Sequence, residues 1–410
     1  MVARFHRAIH RIAQLGFLLA FAAACGDENG IELVQRRDSA GIVIIETPGA
    51  QARAPIGWIV GPQPELQLGD AAGKEAEEFH RIDGRFGGGI RGLPDGRIVI
   101  LNAGSTELLF FDREGRFLNR VNIQGNGPGQ FVRPPILVPY ASNDSLLIRD
   151  AQNRRWTVFS SDGQTHRSFL PGMPPHFIGG TVGAASDSGT IVMVTLGGTP
   201  MVEGQIMQPI DVHWINLTSR NRAAVAQFST HAFSVNDLGG IPTSLRVPFT
   251  TRPSAAVGVH GFFVTGGERP EVRAFDNSGK LIRLLRLIED PRRVKPEDVK
   301  GAIDSLVARF TTAQSKARWA YEQMDIPARW PAFQSVRVDR LGWIWVELFR
   351  PPHHLTPQWM VFDSSGVARG IVDFPAGLEV QDIGLDYVLG RWLDDLRVEY
   401  VRRYRLDRSH

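Results

Sequence analysis

Glu347, Arg350, His353 and His354 bring a carboxylate, a guanidinium and two imidazoles into one eight-residue stretch. Such a set could bind an anion through the guanidinium or a metal ion through imidazole and carboxylate. Strand alternation puts Ile344, Val346 and Leu348 on one face and Trp345, Glu347 and Phe349 on the other, and Pro351 and Pro352 stiffen the loop that follows. Adjacent histidines point to opposite sides of an extended chain, so the pair is not expected to ligate one ion. Two more arginines have long polar reach: Arg85, ahead of the first repeat described below, and Arg252, between two later ones. Arg85, Arg252, Glu347, Arg350 and His353 are therefore the expected ligand-binding residues, provided that the loops carrying them converge on one face.

No other pattern supplies a catalytic constellation. The chain has no Gly-x-Ser-x-Gly elbow, no HExxH pair and no EF-hand loop. Gly125 to Gly129 is glycine-rich, but a phosphate loop needs Gly-Lys-Ser/Thr opening a helix, whereas Pro128 and Phe131 lead into another strand. Asp150 and Asn153 have the spacing of turn residues that bond their own backbone. His80, His176, His213, His231 and His260 lack metal-ligand spacing. No catalytic residue, metal or cofactor is expected. Three function classes stay open: a binding module for a peptide, glycan or small ligand, a scaffold subunit of an envelope complex, and a metal-assisted hydrolase or lyase.

The N-terminus gives an address. Arg4, Arg7 and Arg11 precede an apolar run from Leu15 to Ala24, and the only cysteine, Cys25, follows at once. This is the layout of a secretory leader over residues 1–24. A cysteine just past such a run is where a bacterial lipoprotein is cut and acylated, so Cys25 is the expected lipidation site. Ala22-x-Ala24 also fits ordinary signal cleavage, which would leave a free thiol. The leader carries three arginines and no acid, so the mature chain has 43 basic and 43 acidic residues. With no Lys/Arg block longer than a pair, nucleic acid is not an expected partner. One cysteine excludes an internal disulfide and Cys-based zinc sites. The expected location is the bacterial envelope, with the membrane reached through the lipid anchor alone.

The elements that must position the candidate residues are read from a repeat. An apolar pair followed by a polar-Gly turn recurs at Phe110-Phe111-Asp112 with Gly115, Val158-Phe159-Ser160 with Gly163, Ala274-Phe275-Asp276 with Gly279, and Val361-Phe362-Asp363 with Gly366. Weaker copies stand at Trp214-Ile215-Asn216 and Arg403-Tyr404. Six units of roughly 40–60 residues match four-stranded propeller blades. One interval is long because an amphipathic helix is inserted at about 295–327. There Pro296 opens the segment, Glu297 and Asp298 follow, and Val299, Ile303, Leu306, Phe310, Ala313 and Ala317 recur at helical spacing. After Pro375 only about three strands fit, so the last blade needs a fourth from elsewhere. Gly41 to Glu46, a strand with no blade of its own, is expected to close it.

Several segments together resemble the six-bladed β-propeller lipoproteins of bacterial envelopes, which are related to NHL-repeat proteins. They are Asp38-Ser39-Ala40-Gly41-Ile42-Val43, Gly125-Asn126-Gly127-Pro128-Gly129-Gln130-Phe131 with Pro134, and Asp150-Ala151-Gln152-Asn153-Arg154. Pro331-Ala332-Phe333 with Val338-Asp339 and Tyr387-Val388-Leu389-Gly390 complete the set. The resemblance implies an all-β propeller over residues 38–410, with 25–37 as the linker to the anchor. For activity it implies a binding or scaffold role and no catalytic residues.

Overall fold

The computed structural model describes residues 34–409 other than 71–74, 85–87, 133–134, 139–144, 151–152, 154, 171–179, 186–188, 197–202, 217–218 and 311. The leader, Cys25, Arg85 and His176 thus lie outside the described residues. The described chain forms six sheets in chain order, antiparallel except for one outer pair in the fourth. Blade 1 spans Gly89–Gly92 to Phe117–Asn122, blade 2 Ile136–Val138 to His166–Phe169, and blade 3 Gly180–Ala185 to Arg222–Asp237. Blade 4 spans Ser254–Gly258 to Leu281–Ile288, blade 5 Phe333–Val338 to Ala368–Asp373, and blade 6 Glu379–Ile383 to Glu399–Asp407. The first strand of each blade is the innermost. Antiparallel order sets the loops into each first strand and those between second and third strands on one face, called here the entry face.

The repeat noted in the sequence is the hairpin between third and fourth strands. Asp112, Asp276 and Asp363 each accept, through Oδ1, the backbone N–H four residues on, at 2.7, 3.0 and 3.1 Å. The glycine between them has φ of 85° at Gly115, 83° at Gly279 and 90° at Gly366, which an L side chain adopts only at a cost. Each also lies against the preceding blade. A Cβ on Gly115 would come within 2.5 Å of Leu66, one on Gly279 within 3.0 Å of Trp214, and one on Gly366 within 2.5 Å of Leu285. The motif thus fixes both the turn and the contact between neighbouring blades.

Apolar alternation fills the spaces between blades. Ile344, Val346 and Leu348 of blade 5 pack with Ile45, Val272 and Leu285 on the blade 4 side. Trp345, on the opposite face of the same strand, packs with Val380, Val388 and Tyr404 of blade 6. A strand sandwiched in this way is buried on both faces, and all five residues of Ile344–Leu348 are.

The ring closes differently from the sequence expectation. Ile42–Pro48 is indeed a strand, but it pairs in parallel with Leu281–Ile288 on the outer edge of blade 4, and Gln35–Ser39 pairs with it in turn. Gln35 to Arg37 therefore belong to this outer hairpin and not to the linker. The fourth strand of blade 6 is Leu66–Leu68, with Val401 opposite Leu68, while Ile59–Val60 pairs at Asp407 and Leu406. Leu68 is buried with Phe111, Leu389 and Val401, so its three-residue strand locks blade 6 to blade 1. The β-rich composition of Gly41 to Glu46 shows a strand. Its partner is chosen by where Ile45 can be buried, and that place is between blades 4 and 5.

The helical insertion also departs from expectation. It comprises two helices, Pro296–Val307 and Gln314–Glu322, divided before Ala313, whose φ is 61°. Pro296 occupies the first helical position, and Asp298 reaches back to accept the backbone N–H of Lys295 at 3.0 Å. The helices pack on blade 3, whose third and fourth strands pair beyond the end of the second, from Pro209 with Ser229 to Gly204 with Val235. Leu245 and Val247 meet Ile303, Leu306, Val307, Tyr321 and Met324 in a separate small core. Burying such side chains contributes about 1.5–3 kcal/mol each, enough to hold the lobe over the entry face.

Candidate functional site in the central channel

The inner strands enclose a channel of about 1120 Å³, lined by residues of all six blades, Val194 being the one from blade 3 among the described residues. It exceeds the roughly 300–1,000 Å³ of ordinary small-molecule pockets. Lining residues at the entry face include Arg246, Arg309, Arg350 and Asp394, and those at the far mouth include Val259, His260 and Leu341.

Glu347 and Arg350 both line this channel. Glu347 is the penultimate residue of the second strand of blade 5 and is 8% exposed. Its Oε2 accepts a hydrogen bond from Ser335 Oγ at 2.8 Å, and its Oε1 one from Gln334 Nε2 at 3.2 Å. Arg350 Nε stands 3.7 Å from Glu347 Oε1, a salt bridge too long for a hydrogen bond, and is buried without a hydrogen-bond partner. Arg350 Nη1 donates to the His354 carbonyl at 2.9 Å, which orients the guanidinium. A carboxylate, a hydroxyl, an amide and a guanidinium thus share one patch of wall.

Of the other expected residues, Arg252 and His353 separate from this pair, and Arg85 lies outside the described residues. Arg252 is exposed on the linker that leads into blade 4, whose neighbours Arg246 and Pro253 reach the channel instead. His353 turns to the helical insertion, its ring about 3.0 Å from the position of a Cβ on Gly301. Its Nδ1 is buried without a hydrogen-bond partner, and burial and the neighbouring His354 hold its pKa below the usual histidine value. The two histidines sit in a turn with ring centroids 4.5 Å apart, and not on opposite sides of an extended chain. Among the described residues no group of three or more His, Cys, Asp or Glu is placed to hold a metal ion.

Sequence reasoning missed the groups that complete the entry mouth. Arg246 lies in the linker to blade 4 and Arg309 follows the first inserted helix, while Asp394 and Asp395 occupy the turn after the second strand of blade 6. Deeper in, Arg337 Nη1 and Nη2 donate to the carbonyls of Gln381 and Val380 at 2.9 and 2.6 Å. On the other side of that strand, Gln381 and Asp382 accept the N–H groups of Ile90 and Gly92 at 2.8 and 2.9 Å. Side chains therefore bind blade 6 to blade 5 and to blade 1 around the channel. Tyr387 donates to Asp382 at 3.1 Å, and burial together with that carboxylate raises its pKa. Gly125 to Gly129 forms an inter-blade turn in which Gln130 Oε1 accepts the Gly127 N–H at 3.0 Å. Asp150 Oδ1 accepts the Asn153 N–H at 3.0 Å, the expected turn role.

Six sheets of four to six strands around one channel define a six-bladed β-propeller. Residues 92–168, which make up most of blades 1 and 2, match the family described as a 6-bladed beta-propeller. Among solved structures the chain is similar to an exported-protein structure from Bacteroides fragilis, at 11% identity and a TM-score of 0.44, covering 89% of this chain and 100% of that one. It is similar also to a DUF4221-family member from Bacteroides vulgatus, at 10% identity and a TM-score of 0.46, covering 85% and 99%. Virginiamycin B lyase from Staphylococcus aureus is more distant, at 7% identity and a TM-score of 0.36, covering 92% and 99%. No curated protein matches the sequence.

Proposed function

We propose that this propeller is an exported binding module, lipid-anchored through Cys25, that captures a ligand at the entry mouth of its channel. The observation that carries the reading is the Glu347–Arg350 wall patch, which places a buried carboxylate and an oriented guanidinium on a channel wide enough for a ligand. A buried strand holds Glu347 and the bond to the His354 carbonyl holds Arg350, which lowers the entropy lost on binding. The leader, the single cysteine after it and the described chain's lack of any helix long and apolar enough to cross a membrane accord with a tethered envelope protein. Mass spectrometry of the mature N-terminus from a bacterial host should find a diacylglyceryl group on Cys25. An unmodified thiol on released protein would contradict the anchor.

Capture is tested by thermal-shift screening of the mature protein against short peptides, oligosaccharides and small organic anions. A ligand present at a hundred times its dissociation constant stabilises the fold by about 2.7 kcal/mol. Arg350→Ala should abolish the shift, whereas Arg113→Ala, on an exposed hairpin outside the channel, should leave it intact. Equal shifts in both variants would place capture elsewhere.

A further inference from the structure

The charged groups at the entry mouth are sorted by blade. On the side of blades 4 and 5 and the inserted lobe stand Arg246, Arg309 and Arg350, with Glu347 as the acidic lining residue at this mouth, since Asp339 of blade 5 lies at the far one. On the side of blade 6 and the linker to blade 1 stand Asp83, Glu379, Asp394 and Asp395, with Arg397 as the lining cation. The partners of Glu347, Glu379 and Asp394 leave the sorting in place. Glu347 is held by Ser335 and Gln334 as well as by Arg350. Glu379 shares Arg391 with Glu399, so that cation is divided between two carboxylates. Asp394 accepts the Val398 N–H at 2.8 Å and the Tyr400 hydroxyl at 3.3 Å, both neutral donors. One side of the mouth is therefore cationic and the other anionic.

We infer that the ligand is a short zwitterionic peptide, its terminal carboxylate against the arginine side and its terminal ammonium against the blade 6 acids. A purely anionic ligand would have to approach Asp394 and Asp395, and a purely cationic one the three arginines. Like-charge contacts of that kind select against wrong partners. Guanidinium groups suit a terminal carboxylate because their planar fork can pair with both oxygens. The channel has room for several residues, and an extended peptide gains roughly 3.3–3.6 Å per residue, so one length should match the gap best.

This inference rests on capture at the entry mouth, and its test separates the two. Calorimetric titration of the mature protein would use alanine peptides of two, four and six residues, each with free, N-acetylated, C-amidated and doubly capped termini. The free form of one length should bind best, each single cap should weaken it at least tenfold, and the double cap should remove measurable binding. Arg309→Gln and Asp395→Asn change exposed side chains, so both variants should fold. In Asp395→Asn the cost of N-acetylation should shrink while that of C-amidation stays, and Arg309→Gln should show the reverse. Doubly capped peptide binding as tightly as the free form, or no alanine peptide binding at all, would overturn the zwitterionic assignment. Capture at the mouth would still stand if another compound gave a thermal shift sensitive to Arg350, and would fall with it if none did.

Discussion

His353 shows how a residue with chemical potential can be committed to packing. Its ring is wedged between His354 and the inserted helix, and burial lowers its pKa. A histidine whose folded pKa is depressed stays neutral in the native state while the unfolded chain protonates near 6.5. Its presence therefore costs stability as pH falls below about 6.5. Denaturant titrations at pH 7.5 and pH 5 should show a smaller acid-side loss in His353→Gln than in the parent protein, with peptide capture unaltered. Gly92 makes a sharper case. A Cβ there would lie 2.1 Å from the Tyr387 hydroxyl. Gly92→Ala must displace the Tyr387–Asp382 bond at the blade 6 to blade 1 seam and should cost about 1–3 kcal/mol. Nothing in the local sequence around Gly92 announces that role, because the clashing atom is almost 300 positions away. By contrast Glu347 and Arg350 were legible, since strand alternation and a proline-stiffened loop are local properties.

At the scale of elements, alternation and the hairpin repeat revealed strands of blades 1, 2, 4, 5 and 6 but not the apolar strand Thr190–Leu196 of blade 3, and not which strand closes the ring. The hairpin repeat was readable because aspartate, glycine and their spacing build the turn themselves. Asp363 accepts bonds from Ser365 and Val367 and pairs with Arg369, and these outweigh the effect of burial to hold its pKa below the usual carboxylate value. With the folded pKa depressed, this stability is present above the unfolded value near 3.8 and lost as pH falls through the folded one. Asp363→Ala should therefore cost about 1–3 kcal/mol at pH 7, with the difference narrowing below pH 4. Closure of the ring was not readable, because Leu66–Leu68 is only three residues long and Ile42–Pro48 looks the better strand. The consequence can be measured by equilibrium unfolding. Leu68→Ala, at the blade 6 to blade 1 contact, should lose about 2–5 kcal/mol. Removing residues 34–41 strips the outermost strand from blade 4 and should leave blade 6 pairing intact by amide exchange.

For the whole molecule, the propeller separates stability from capture. Inter-blade packing is apolar and continuous around the ring, while charged groups from segments far apart in sequence meet at the channel mouth. Arg246, Arg309, Arg350 and Asp394 span 149 positions (246–394) and share no local motif, so only the assembled ring discloses them as neighbours of one mouth. The most direct measurement is a crystal structure of the mature protein with the alanine peptide that binds best. Peptide density is expected in the entry mouth, with the carboxylate near Arg309 and Arg350 and the ammonium near Asp394 and Asp395. Density confined to the outer surface of the blades, or an empty mouth in crystals whose protein binds the peptide in solution, would contradict it.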